Sequence, residues 1–239
     1  MVIHTYIEYM GWGAGGWGDE FFFGFLMTLK ISLSAYALAV IFGFFATTAK
    51  LSKNIFLRFM AVSYTTVVRA LPEILMVLIV YFTVAGLAET ALVKAGFVDK
   101  GFQFNPFWAA VFALAFVAGA FMAEVLRAAR LAVPEGQIES ATAIGMSSLQ
   151  IFMRVILPQM MRHAIPGMGN LWLSITKDSA IVAVLGAFSE LLYTGYRAAA
   201  ATKEYVFFYG VTAVLFLLIT LISIAVIQWM ERHLNRGYA

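Results

Sequence analysis

The chain has 239 residues, is 62% hydrophobic and only 12% charged, and carries a formal net charge of +3; its mean hydropathy is +0.88. A soluble domain carries about 25% charged residues, so the composition excludes an ordinary soluble globule, and the small positive charge gives no reason to expect nucleic acid. There is no cysteine, which removes disulfides, thiol catalysis and thiolate metal sites. His4, His163 and His233 lie too far apart in sequence to suggest a metal cluster.

The chain opens on an extracytoplasmic or interfacial segment, residues 1–20, containing Gly11-Trp12-Gly13-Ala14-Gly15-Gly16-Trp17-Gly18. This is not a phosphate loop. It lacks the Gly-Lys-Ser/Thr ending, and no Gly-Lys dipeptide occurs anywhere in the chain. Its tryptophans are expected at the outer membrane interface. The first Lys or Arg is Lys30, so the basic start of a cleaved signal peptide is not apparent, and the first span is expected to act as its own insertion signal. Runs such as Ile31 to Ala49, Phe104 to Ala123 and Tyr205 to Trp229 lack charges, and about 20 apolar residues cross the hydrocarbon core as a helix. The expectation is an all-α polytopic membrane protein with five transmembrane helices, at about 22–48, 58–87, 105–127, 166–190 and 205–230. Lys50, Lys53, Arg58, Arg127, Arg130, Arg154, Arg162, Arg232 and Arg236 fall on one side, against Lys94, Lys100, Arg197 and Lys203 on the other. The positive-inside rule then places the N-terminus outside and the C-terminus in the cytoplasm.

Between the third and fourth spans lies a polar island, residues 134–158, on the cytoplasmic side in this orientation. Pro134 suits the first helical position and Glu135 complements the helix dipole. Ile138, Ala141 and Ile144 recur at helical spacing, and Gly145 is placed to stop the helix in a left-handed conformation. Ser147 and Gln150 form a capping box that starts a second helix through Leu149, Phe152 and Ile156. That helix is expected to end by Leu157, before Pro158. Both are too short to span and marginal alone in water, so each needs a surface: a partner protein, or the bundle and headgroups of its own membrane.

Glu139-Ser140-Ala141, Gly145 and Val155-Ile156-Leu157-Pro158 resemble the Glu-Ala-Ala motif of ABC-importer permeases, in which Gly follows after three residues and Ile-x-Leu-Pro after nine more. Ser140 and Val155 are mild departures from that pattern. Ala123-Glu124-Val125-Leu126-Arg127, Val133-Pro134-Glu135-Gly136-Gln137 and Lys177-Asp178-Ser179 look like the polar-amino-acid subfamily. Arg69-Ala70-Leu71-Pro72-Glu73, where most relatives read Arg-Gly-Thr-Pro, is similar to the Q-type subunit of histidine/basic-amino-acid and opine permeases. The resemblance covers roughly residues 20–232. It implies the type I importer permease (MetI-like) fold over 21–232, with 233–239 as a cytoplasmic tail. It also implies coupling to an ATPase through Glu139, Ser140, Ala141, Gly145, Leu157 and Pro158. In that division of labour a second homologous permease subunit, as a heterodimer by the Q-type likeness, completes the pathway. Two ATP-binding subunits bind ATP and Mg, an extracytoplasmic binding protein delivers the amino acid, and this chain holds no cofactor or catalytic residue. Ala141 is expected to permit close approach of the ATPase and Glu139 to offer it a charge.

Charges in or near the spans are the remaining candidates, because a charge at the bilayer centre costs about 3 kcal/mol even on lenient scales. Lys177 and Asp178, with Ser179, fall midway along the fourth window and supply both charge signs for a zwitterionic substrate, or pair structurally across the bundle. Glu73 directly follows Pro72, which can break the helix, and it either attracts a cationic side chain or pairs with Arg69 four residues earlier. Glu124 and Arg127 read as a gating or structural pair. Lys30 reads as snorkelling to the outer interface. The rival functions are a secondary transporter or channel, which leaves the island unexplained, an intramembrane enzyme built on Ser174, Lys177 and Asp178, and a structural scaffold.

Overall fold

The computed structural model describes residues 2–13, 15–99, 105–181 and 188–234; Lys100, Arg236 and positions 182–187 of the fourth window lie outside them. The regular elements among the described residues are all helices, in the order α1 (Val2–Tyr9), α2 (Gly18–Lys50), α3 (Ile55–Ala70), α4 (Glu73–Lys94), α5 (Pro106–Leu131), α6 (Glu135–Ala143), α7 (Ser148–Ile151), a π turn (Phe152–Ile156), α8 (Leu157–Asp178), α9 (Leu191–Thr202) and α10 (Tyr205–Leu234). Four of them, α2, α4, α5 and α10, are long and apolar enough to cross a membrane.

The expected windows meet these helices unevenly. Those at 22–48 and 205–230 fall inside α2 and α10, and that at 105–127 falls inside α5 but for its first residue. The window at 58–87 is two helices. Asn54 caps α3 by accepting hydrogen bonds from the backbone N–H of Phe56 (2.9 Å) and Leu57 (3.3 Å), and α3 stops at Leu71, which is extended (φ −102°, ψ 154°). Steric conflict with the Pro72 ring drives Leu71 out of the helical region. The fourth window begins inside α8, whose Arg162, His163, Asn170 and Lys177 lower its hydropathy.

The chain folds as two compact units built from non-contiguous segments. The first comprises residues 1–35, 77–114 and 174–221. Its core joins Phe21, Leu191, Ala198, Ala199 and Phe208, flanked by Tyr9, Trp17 and Phe25. Trp17 packs edge-on against Phe208 and lies beneath the Arg197 guanidinium, so of the two tryptophans expected at the interface only Trp12 is exposed. Lys30 sits over the Phe107 ring at 4.9 Å. Glu190 is fully buried and caps α9, accepting from the N–H groups of Leu192 (2.8 Å) and Tyr193 (2.6 Å), while the Thr28 hydroxyl accepts from Leu191 N–H.

The second unit comprises residues 36–76, 115–173 and 222–239. Polar side chains tie its helices together through hydrogen bonds to backbone carbonyls. Thr47 donates to Ala123 O (2.9 Å), Tyr64 to Phe116 O (2.5 Å) and Tyr36 to Met168 O (3.3 Å). Trp172 Nε1 donates to Ser223 Oγ at 2.8 Å. In an apolar medium such groups must find partners, and they link helices at the points where they do so.

Close approach makes these bonds possible. A Cβ on Gly43 would stand 2.7 Å from Met122 Cβ and 3.1 Å from Ala123 N, so only glycine lets α2 lie this near α5. Gly43→Val is expected to overpack the contact and cost about 1–3 kcal/mol, lowering the thermal unfolding midpoint of the purified protein, whereas Gly86→Ala, with nothing within 4 Å, leaves it nearly unchanged.

Candidate functional site: a polar island and an ionic cluster

The island folds largely as its capping signals require. Gly145 is left-handed (φ +82°). Its N–H donates to Thr142 O (3.0 Å) and the Met146 N–H to Ala141 O (3.1 Å), the paired bonds of a Schellman stop. Across the turn, Gln150 N–H donates to Ser147 Oγ (3.4 Å) and Ser147 N–H to Gln150 Oε1 (2.8 Å), closing the capping box.

Two expectations about the island are corrected. The second short helix does not end at Leu157. It runs from α7 through the π turn into α8, with Leu157 N–H donating five residues back to Phe152 O. A proline ring clashes with the carbonyl four residues before it; the wider π turn opens the backbone there, so Pro158 enters the first turn of α8 instead of terminating a helix. Nor does Ala141 face outward. It is 5% exposed and packs with Leu126, Ala129, Val133, Ile151 and Met160, so its small side chain lets α6 lie close on the bundle that carries it.

The outward members of the motif are Glu139, Ser140, Gly145 and Pro158, with Leu157 half-buried. Ser140 donates to Gly136 O, and Glu139 makes no ion pair among the described residues. Beside them stand Ile144, Leu149 and Met153, at 79%, 71% and 52% exposure. Helical spacing had set Ile144 with the inward Ala141. It turns outward because it is the C-cap of α6 (φ −88°, ψ 9°), where helical periodicity no longer governs direction. The surface thus combines an unpaired carboxylate with three exposed apolar side chains on a turn fixed at both ends.

Glu124, on α5 of the same unit, gathers three cations. Its Oε1 pairs with Lys50 Nζ and lies 3.7 Å from Arg69 Nη1, and its Oε2 lies 2.9 Å from Arg127 Nε. Arg69 therefore pairs with Glu124 and not with Glu73, because the break at Leu71 ends the helical register that spacing four assumes. Arg69 also stacks over the Phe121 ring at 5.5 Å. Lys50 was legible only as a loop charge. It becomes a cluster member because α2 runs on to that residue, leaving its side chain 8% exposed. Glu73 is half-buried at the start of α4 and makes no ion pair among the described residues. Lys177, Asp178 and Ser179 belong to the other unit. There Lys177 is exposed, Asp178 is half-buried at the end of α8, and the buried Ser179 donates to Thr176 O at 2.7 Å. No group of His, Asp or Glu among the described residues is arranged to hold a metal ion.

Residues 39–239 match the family of binding-protein-dependent transport system inner membrane components. The chain belongs to this family. It is 36% identical, over 97% of each chain, to the octopine transport system permease protein OccQ of Rhizobium meliloti. It is 39% identical, over 95% of each, to the nopaline transport system permease protein NocQ of Agrobacterium fabrum. It is 35% identical to the histidine/lysine/arginine/ornithine transport system permease protein HisQ of Escherichia coli, over 90% of this chain and 92% of that one. Among solved structures, an amino acid ABC transporter with histidines aligns at a TM-score of 0.75 and 30% identity, over 90% of this chain and 94% of that one. The MetNI methionine transporter aligns at 0.66 and 19% over the same shares, a likeness of fold. The chain is thus an all-helical, MetI-like membrane permease subunit of the ABC importer class.

The permease fold makes the two ion-pair sites unequal. Removing Glu124 strands Lys50 with little solvent, so Glu124→Ala should cost about 3 kcal/mol in unfolding measurements on the purified subunit. Glu135, 72% exposed and 3.8 Å from Arg130, should cost less than about 1 kcal/mol as Glu135→Ala.

Proposed function

We propose that this chain is the transmembrane permease subunit of an ATP-driven importer for a basic amino acid or an amino-acid-derived opine, with α6, the Gly145 turn and α7 docked on a partner ATPase. The single observation that carries the docking is the turn itself. Glu139, Ile144 and Leu149 stand exposed on a backbone locked by a Schellman stop and a capping box, a rigid surface with no partner in its own unit. In this reading the N-terminus faces outside, five helices cross the membrane, and the island and the C-terminus are cytoplasmic. A second homologous permease subunit completes the pathway as a heterodimer, two ATPase subunits bind ATP and Mg, and an extracytoplasmic binding protein brings the substrate. The names of the opine and histidine/lysine/arginine/ornithine relatives support the substrate class.

ATP has to bind two states of the assembly unequally to drive exchange between them. The route from the docking helices is mechanical. α7 continues without interruption into α8, and Ala141, Ile151 and Ile156 pack with Leu126 of α5, so displacement of the turn is carried into helices that bear the ionic cluster. Leu157 and Pro158 sit at the joint, directly after the π turn.

For the substrate, Glu73 offers an unpaired carboxylate next to a break that frees backbone carbonyls at the end of α3. That arrangement suits a cationic side chain. Lys177, in the other unit, is a separate candidate, an exposed ammonium able to take a carboxylate. Arg69 and Glu124 are already engaged in the ionic cluster and fit the role of gate or brace, with Asp178 and Ser179 shaping the end of α8.

Two expected outcomes follow in proteoliposomes holding the assembled transporter. Gly145→Arg should insert normally yet lose at least about 90% of ATP-coupled uptake, since a side chain at φ +82° forces the turn out of its left-handed conformation; normal uptake would refute the docking assignment. Glu73→Gln should weaken uptake of a cationic substrate about tenfold, the loss of one charge-assisted contact, and that of a neutral one much less. Equal losses would assign Glu73 a structural role.

A further inference from the structure

The second unit holds a cavity of about 220 Å³ lined by Phe44, Thr47, Thr48, Leu51, Leu126, Arg130, Phe152 and Met160. Its floor is buried: Thr47, Leu126 and Met160 are each under 10% exposed. Its rim is not, since Phe44 and Leu51 are exposed and continue an apolar surface through Phe45 and Ile41. The hydroxyls inside are already committed as donors, Thr47 to Ala123 O and Thr48 to Phe45 O. An apolar lining favours an apolar guest over water, and here the lining carries a single uncommitted donor group.

That group is Arg130. Its one ion pair among the described residues is with Glu135, at 3.8 Å, on a carboxylate that is 72% exposed. Such a pair is weak, and a guanidinium has five N–H donors, so Arg130 retains capacity for a second anion. The cavity is lined by the last turns of α2 and α5, next in sequence to Lys50 and Arg127, and basic residues at the ends of helices that cross a bilayer sit at headgroup depth. An apolar slot open to the acyl region with one cation at headgroup depth matches one ligand chemistry: an acyl chain carrying an anionic phosphate.

We infer that this cavity is a binding site for an anionic phospholipid, with an acyl chain between Phe44, Leu126 and Met160 and the phosphate on Arg130. Phe152, the first residue of the π turn, forms one wall, so the bound lipid fills the space beside the joint between α7 and α8. The inference requires only that α2 and α5 lie in a bilayer, and stands or falls independently of ATP coupling and of the imported substrate.

The test is native mass spectrometry of the full-length subunit, delipidated in detergent and titrated with phosphatidylglycerol or phosphatidylcholine. The wild-type protein is expected to retain one phosphatidylglycerol in clear preference to phosphatidylcholine. Arg130→Gln should lower that preference about fivefold, the weight of one basic residue at an anionic surface. Thr48→Trp should fill the slot and abolish tight retention of either lipid, while Thr48→Ser, as the control for folding, and Lys53→Gln, outside the cavity, retain wild-type binding. Equal retention of the two lipids by the wild type, or undiminished phosphatidylglycerol binding in both Arg130→Gln and Thr48→Trp, would overturn the assignment. So would loss of permease–permease association in Thr48→Trp with lipid retention intact, since the occupant would then be a protein side chain.

Discussion

Glu124 is the point on which the second unit depends. One half-buried carboxylate pairs with Lys50 at the end of α2, Arg69 at the end of α3 and Arg127 one turn along α5, a cluster that keeps a net positive charge. Each of these helices terminates near the place where its charge is held, and Lys50, with its side chain 8% exposed, has little water to solvate it if left unpaired. The pairing therefore holds the end of α2 against α5, with the more exposed Arg69 and Arg127 gathered at the same carboxylate. The Thr47 and Tyr64 bonds to backbone carbonyls and the glycine contacts of Gly43 and Gly119 then set how closely the helices approach.

The island rests on that foundation. Ala141, Ile151 and Ile156 pack with Leu126 and Ala129 on the α5 turns that follow Glu124. The Schellman stop, the capping box and the uninterrupted α7-to-α8 path stiffen a segment too short to be helical alone, and that stiffness is what the proposed docking on a partner ATPase requires. The π turn is the one departure from regular geometry along the path. It accommodates Pro158, and its first residue, Phe152, also lines the cavity beside Phe44 and Met160, so the same irregularity serves the proline and shapes one wall of that cavity.

Much of this was legible in the sequence because it is encoded locally. Charge-free runs marked α2, α5 and α10; Pro72 marked the break; Gly145, Ser147 and Gln150 marked the turn within the island. What escaped depends on contacts between residues distant in the chain. Arg69 finds Glu124 and not the nearby Glu73 because the broken helix changes which groups face each other. Ala141 turns inward although the motif pattern suggested a partner-facing role, since periodicity identifies one face of a helix but not what covers it. The passage through Pro158 could not be foreseen from propensity, which treats proline as a stop, because the π turn that admits it is a response of the whole backbone path. The interleaving of two units from non-contiguous segments leaves no local signal at all.

The central claim is that another chain's ATP cycle enters at the Gly145 turn, and cysteine labelling tests it most directly, because the natural chain contains no cysteine. With a single Glu139→Cys substitution, a membrane-impermeant maleimide should label the isolated subunit readily. In the assembled, nucleotide-free transporter it should label at least about tenfold more slowly, as expected for a residue shielded from solvent in an interface core. Single cysteines at Ala141 and Val206 serve as inward and distant exposed references. Equal labelling of Glu139→Cys in the isolated subunit and in the complex, at every stage of the ATP cycle, would contradict the account.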